Sequence, residues 1–286
     1  MLRRLGLPRL FAIAAAAAML LAAGAVWQFD APVGDRLRAL APSWIGIAAV
    51  FWFLWRRVAP ARSPAADPPP RPLTEDFAPL HLDRRYGDLS GLALAALDYV
   101  VVDTETTGLD PDSDRIVQIG AVRIAGGRLV EDSRFERLVD PGRPIPPASV
   151  RFHGIDDGTV ADAPAIDEAL QAFLDYAGDA VLIGHNIAFD LAFLNRTRPI
   201  ENAAIDTMLL SIGAFPDRQR HALDDLADRF DEPVRDRHSA PADAELTARI
   251  FLKLLPHLER VGVRRFGEAQ AMCDEAARRI QATGGR

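Results

Sequence analysis

The chain has 286 residues and a formal net charge of −7, so bulk charge gives it no general affinity for nucleic acid, although an acidic site neutralised by metal remains compatible with that balance. A single cysteine, Cys273, excludes an internal disulfide and a cysteine-rich zinc site, and fits a reducing compartment. Lys253 is the only lysine, so nearly all positive charge is arginine, which suits phosphate contacts.

The amino-terminal segment differs in composition from the rest. Leu10 to Trp27 is an uncharged Ala- and Leu-rich run of 18 residues, enough to cross a bilayer core of about 30 Å. A second apolar run extends from Ala39 to Trp55, interrupted only by Pro42 and Ser43. Trp27, Trp44 and Trp55 stand near the edges of these runs, where aromatic belts occur. Arg3, Arg4 and Arg9 precede the first run and Arg56, Arg57 and Arg62 follow the second, while the intervening loop mixes Arg36 and Arg38 with Asp30 and Asp35. The positive-inside rule then predicts a helical hairpin over residues 1–57, lying in the inner membrane through residues 10–55 with both ends cytoplasmic. A cleaved signal peptide ending near Ala23-Gly24-Ala25 is the rival reading. Residues 58–92 begin as a Pro/Ala-rich linker, extended and semi-rigid.

From Tyr99 the pattern becomes that of a folded domain, taken as residues 93–258 with a helical tail over 259–286. Tyr99–Asp103 reads as a strand, followed by strands over Arg115–Ile124 and Leu129–Leu138 around the Gly126-Gly127 turn. Helical spacing marks Ala165–Tyr176, a short strand Ala180–Ile183, and a helix Ile187–Asn195. Ala203–Leu209 reads as strand-like and Leu223–Phe230 as helical. Pro241–Leu255 is a strong amphipathic helix with proline in its first turn, and Arg264–Ile280 a final helix. Three successive strands followed by alternating elements indicate an α/β fold with a mixed sheet.

Three clusters carry possible chemistry. In DTETTG, Asp103 and Glu105 point the same way if the strand continues that far, and Thr106-Thr107-Gly108 suits a turn or a close approach of backbone to ligand. In HNIAFD, Asp190 interrupts an apolar helix behind His185-Asn186. In HSAPAD, His238 precedes a helix whose first turn holds Asp243. Singly, each has an ordinary explanation: solvated acids at a hairpin end, an outward-facing helix residue, capping residues, an acid favoured by the helix dipole. Together, four carboxylates beside core elements match the way Mg²⁺ is held, by a few carboxylates plus phosphate oxygens. Two such ions about 4 Å apart clamp the attacking and leaving oxygens of an in-line phosphoryl displacement. Histidine, with an ordinary pKa near neutrality, is suited to take the proton of the attacking water.

These clusters resemble the Exo I, II and III motifs of the DEDD exonuclease superfamily, in its histidine (DEDDh) branch, and are most similar to the proofreading epsilon exonuclease domains of bacterial DNA polymerase III. The likeness covers about residues 97–257, with Gln118-Ile119-Gly120-Ala121, His153-Gly154-Ile155, Ile205-Asp206-Thr207 and His221-Ala222-Leu223 in further agreement. It implies a ribonuclease H-like mixed sheet flanked by helices, and two divalent ions, Mg²⁺ or Mn²⁺, held by Asp103, Glu105, Asp190 and Asp243, with Asp103 bridging both. It implies His238 as general base and 3′ to 5′ hydrolysis releasing nucleoside monophosphates from a single-stranded or frayed 3′ end of DNA or RNA. Thr106 and Thr107 would approach the terminal nucleotide, and His153, His185 and Asn186 would position the scissile end. Arg218, Arg220, Arg235 and Arg237 are either phosphate contacts or, beside their aspartates, a solvated surface.

The apolar hairpin and the lack of a Gln-x-x-Leu/Met-x-Phe clamp-binding peptide after His257 depart from the polymerase subunit, so association with a replicative polymerase is not expected. The expectation is a membrane-tethered 3′–5′ exonuclease of repair or nucleic-acid turnover. The rival from another class is a non-catalytic membrane adaptor that binds nucleic acid or protein through the same fold.

Overall fold

The computed structural model describes residues 89–284, which fall within the compact unit Pro69–Arg286. The expected hairpin of residues 1–57 lies outside the described residues, as does most of the linker. Among the described residues no helix is long and apolar enough to cross a membrane.

One sheet contains β1 (Tyr99–Thr106), β2 (Ile116–Ala125), β3 (Arg128–Leu129), β4 (Phe135–Leu138), β5 (Val181–Gly184) and β6 (Ala204–Asp206). Around it stand α1 (Pro147–His153), α2 (Asp157–Val160), α3 (Ile166–Ala177), α4 (Ile187–Leu194), α5 (Thr207–Ala214), α6 (Leu223–Arg229), α7 (Ala240–Arg260) and α8 (Phe266–Gly284). The strand order is β3-β2-β1-β5-β6, with β4 also on β2. The first pairs are antiparallel, whereas β1–β5 and β5–β6 are parallel. This is the α/β mixed sheet flanked by helices that the sequence indicates.

Several boundaries differ from the sequence reading, three of them for an evident local reason. The single strand expected over Leu129–Leu138 is two, because Asp132 turns left-handed (φ 59°) and Ser133 Oγ accepts the Arg123 N–H that a continuous partner strand would have taken. The strand-like segment Ala203–Leu209 ends at Asp206, whose carboxylate accepts the N–H groups of Met208 and Leu209 and so starts α5 at Thr207. Helix α7 continues through Pro256 to Arg260, its last turn held by fully buried Leu258. The short α1, with Pro147 opening its first turn, was hidden among prolines.

Strand alternation divides the core. Tyr99 and Val101 face α7, α5 and α8, with Tyr99 packed edge-on to Phe251 at 5.0 Å. Val100 and Val102 face α3 and α4, where Ala169, Leu170, Phe173 and Ala177 form the apolar stripe of α3. Burying a side chain such as Phe173 stabilises the fold by about 2–3 kcal/mol. The same alternation carries Asp103 and Glu105 onto the α7 side, because β1 does continue to Thr106.

The amino end of α7 docks directly on β2. A Cβ at Gly120 would lie 2.1 Å from Pro241 N and 2.2 Å from Ala240 C, so only glycine permits this approach. Gln118, two residues earlier on the same face, accepts the Ala240 N–H at 3.0 Å and thereby caps α7 in place of the N-cap side chain. At the far edge, Gln270 of α8 donates to the β6 carbonyl of Ala204 at 2.6 Å. The chain entering the domain is fastened to the start of α8: Leu94 donates to the Arg264 carbonyl, Phe266 to that of Leu92 and Gly267 to that of Ser90.

Gly120→Ala puts a methyl group against backbone that has no rotamer with which to yield. Chemical denaturation is expected to show a loss of about 2–3 kcal/mol or more. An unchanged midpoint would mean that α7 can ride outward freely.

Candidate active site

Asp103 and Gly120 are register partners across β1 and β2, as are Glu105 and Gln118. The helix seated on Gly120 therefore delivers the acid of its first turn, Asp243, directly over Asp103. Carboxylate oxygens of Asp103, Glu105 and Asp243 lie within 4.8 Å of one another, and all three residues are buried. At an effective dielectric constant near 20, each such pair of charges repels by on the order of 3 kcal/mol. Such a cluster calls for positive charge, and its all-oxygen donor set fits a hard divalent cation.

Asp190 reaches the same strand from the other side. β1 pairs with β5 only over Tyr99–Val101; beyond that point the strands part, and the Thr104 N–H loses its ladder partner. Asp190, in the first turn of α4 and 0% exposed, fills the notch: its Oδ1 accepts from Thr104 N at 2.9 Å and from Thr104 Oγ1 at 2.7 Å. The opening at the carboxyl ends of adjacent parallel strands is where α/β sheets bind ligands. The three-membered cluster does not include Asp190, which stands beside the strand residue between Asp103 and Glu105.

His238 is held by both backbone and ring. It has a left-handed backbone (φ 62°), as does Asp236 (φ 48°). Its N–H donates to Asp243 Oδ2 at 3.2 Å, and its ring lies on that of Phe152, with centroids 3.8 Å apart and planes inclined by 34°. His153 follows Phe152 at the end of α1, and its Nδ1 accepts the Ile155 N–H at 3.1 Å. Burial lowers the His153 pKa, and the charge of His238 acts in the same direction.

The turn after β1 is locked by its own threonines. Thr106 Oγ1 donates to the Gly108 carbonyl, while Thr107 Oγ1 donates to Asp114 and accepts the Arg115 N–H. Both hydroxyls are thus engaged within the turn, and the Thr107 carbonyl accepts from Ser149 of α1.

Asp206 was the residue that sequence reading undervalued. Besides starting α5, it accepts the N–H groups of Asn186 (3.1 Å) and Ile187 (3.0 Å), so one carboxylate joins the amino ends of α4 and α5. Asn186 takes the left-handed conformation (φ 62°) that presents those donors. His185 Nδ1 lies 3.0 Å from Thr207 Oγ1, whose hydroxyl is also within hydrogen-bond distance of the Gly184 carbonyl, at 3.1 Å. A lone acid at the end of a short apolar strand was the available signal.

The expected arginine cluster divides. Arg220 pairs with Asp225 at 2.5 Å and is largely exposed, and Arg235 is exposed. Arg237 is turned inward, donating from Nε to Asp224 Oδ1 at 2.6 Å and from Nη1 to Asp243. Burial pulls the Arg237 pKa down, but the bonds to Asp224 and the charge of Asp243 outweigh it and hold the guanidinium above its ordinary value.

Comparison with known proteins agrees with this geometry. The RNase T exonuclease family model matches residues 100–251, a span that includes all three clusters. The chain belongs to this exonuclease family. A DNA polymerase III subunit epsilon-like protein of Rhodobacter capsulatus is 45% identical over 223 residues, covering 74% of this chain and 31% of its own. The PolC-type DNA polymerase III of Bacillus subtilis is 33% identical over 177 residues, 59% of this chain and 12% of that one. The chain thus spans less than a third of the length of these curated relatives. Among solved structures, exonuclease X in complex with 5′ overhanging duplex DNA superposes with a TM-score of 0.52 at 26% identity, covering 61% of this chain and 99% of that chain. Exonuclease I of E. coli with a dT13 oligonucleotide has a TM-score of 0.51 at 16% identity, over 58% of this chain and 42% of that chain, and shares the fold. The matched region is a DEDD-superfamily exonuclease domain similar to that of DNA polymerase III epsilon, with a ribonuclease H-like fold.

Burial pushes Asp206 from its ordinary 3.8 up to about 6, against four backbone N–H donors that pull it down. A raised acid contributes stability that is present in full below its unfolded pKa and is lost as pH rises through the folded one. The stability advantage of wild type over Asp206→Asn is therefore expected to shrink by on the order of 3 kcal/mol between about pH 4 and pH 6. Urea unfolding at stepped pH measures this, and a pH-independent difference would assign Asp206 an unshifted pKa.

Proposed function

We propose that the protein is a metal-dependent 3′ to 5′ exonuclease, hydrolysing nucleic-acid phosphodiesters from the 3′ end and releasing nucleoside monophosphates. The observation that carries this reading is the buried approach of Asp103, Glu105 and Asp243 to within 4.8 Å, a donor set suited to Mg²⁺ or Mn²⁺. Asp103, Glu105, Asp190 and Asp243 would hold two ions, which supply Lewis-acid stabilisation of the charge that develops during phosphoryl transfer. Asp103, on the central strand between the α7 and α4 acids, would contribute to both. His238 would take the proton of the attacking water, held for that task by its stack on Phe152 and its backbone bond to Asp243. The rigid turn at Thr106 and Thr107 would present backbone to the terminal nucleotide, with His153, His185 and Asn186 positioning the scissile end.

Exonuclease X was solved with 5′ overhanging duplex DNA, and this supports DNA carrying a recessed 3′ end as one substrate form. The two apolar runs of residues 10–55 and their flanking arginines support a tether in the inner membrane with the nuclease facing the cytoplasm.

The test uses the full chain with 5′-labelled single-stranded DNA, RNA of the same sequence, and duplex with a 5′ overhang. A ladder shortening from the 3′ end is expected with Mg²⁺ and not with EDTA. Asp103→Asn is expected to slow it by on the order of a thousandfold, several kcal/mol of charge stabilisation being lost. Retained binding without degradation of any polymer would instead favour the adaptor.

A further inference from the structure

Arg237 lies one residue before the histidine of the third cluster, yet its side chain is only 22% exposed and makes no outward contact among those described. Its guanidinium is divided between two acids. Nε and Nη2 both meet Asp224, at 2.6 and 3.4 Å, and Nη1 meets Asp243. The oxygen of Asp243 that it contacts, Oδ2, is also the one that accepts the His238 N–H. Two donors on one oxygen oppose rotation of the carboxylate about its Cβ–Cγ bond, and so favour one plane in which it faces Asp103 and Glu105. The anchor is firm because Asp224 belongs to α6, whose Leu223, Leu226 and Ala227 are buried in the core.

We infer that Arg237 is a positioning residue for metal binding, transmitting the placement of α6 through Asp224 to the Asp243 carboxylate. This rests on the reading of Asp243 as a metal ligand. The role needs a planar fork, because one group must satisfy Asp224 and Asp243 at the same time. Lysine carries the same charge on a single flexible nitrogen and cannot reproduce that geometry. A guanidinium spent in this way is not a contact for substrate phosphate, which separates Arg237 from Arg220 and Arg235.

The test compares full-length wild type, Arg237→Lys and Asp224→Asn, the last altering a largely exposed side chain. Mn²⁺ binding is followed by calorimetry, and the Mg²⁺ requirement by cleavage of a 5′-labelled single strand. Partners that orient a ligand are worth about 10–100-fold in metal affinity. Both variants are therefore expected to bind Mn²⁺ at least about tenfold more weakly, to shift the Mg²⁺ half-saturation by the same factor, and to recover activity in excess metal with the oligonucleotide KM unchanged. Unchanged or tighter Mn²⁺ binding in both variants would overturn the inference. So would a raised oligonucleotide KM at unchanged metal affinity, which would make Arg237 a substrate contact. If wild type itself binds no Mn²⁺, or binds it equally well as Asp103→Asn, the proposed function fails and this inference falls with it. Wild-type binding that depends on Asp103 but not on Arg237 leaves the function standing and removes only the inference.

Discussion

The site depends on how closely one helix approaches one strand. At Gly120 the backbone of α7 occupies space that any side chain would claim, and the Gln118 side chain completes the contact by capping the helix. Because Gly120 is the register partner of Asp103, the contact that seats the helix also sets the separation of Asp103 and Asp243. Backbone-to-backbone contact is stiff, since it offers no rotamers through which strain can dissipate. A cation site needs such stiffness, because a shift of an ångström in one carboxylate changes its distance to the ion by a large fraction of a bond.

The remaining acid is placed by a different device. The parting of β1 from β5 leaves a strand amide without its ladder partner, and Asp190 enters the fold as the replacement acceptor. The carboxylate proposed as a metal ligand thus also has a structural task. Asp206 is the supporting counterpart: it gathers four backbone donors from two helix ends and fixes the helix on which Asp190 rides. Positive charge at the site is scarce among the described residues, and Arg237 is committed to both Asp224 and Asp243.

What the sequence made legible follows from locality. Alternation along β1 assigned Asp103 and Glu105 to one face, and the amphipathic period of α7 placed Asp243 in its first turn, because both rules need only near neighbours in the chain. The ordered clusters then assembled the candidate site. The pairing of Arg237 with Asp243 was hidden, because an arginine flanked by aspartates has the composition of a surface. Asp206 was hidden because two of its partners, Asn186 and Ile187, lie about twenty residues earlier and meet it only in the folded sheet. Gly120 could be noted but not explained, since a glycine in a strand marks a bulge or a close approach alike until the opposing element is known. The division of Leu129–Leu138 into two strands turned on one left-handed residue, Asp132, which composition does not announce.

The fastening of Ser90–Leu94 to Arg264–Gly267 has a mechanical consequence. Tension applied to the chain on the amino side of the domain would meet these backbone bonds before it reached β1, and would be shared with α8 through them. The strand that carries Asp103 and Glu105 would then bear less of that load, much as a cable clamp protects the conductor behind it. A domain joined to its surroundings by a pulled or fluctuating segment could keep its carboxylate spacing under that strain.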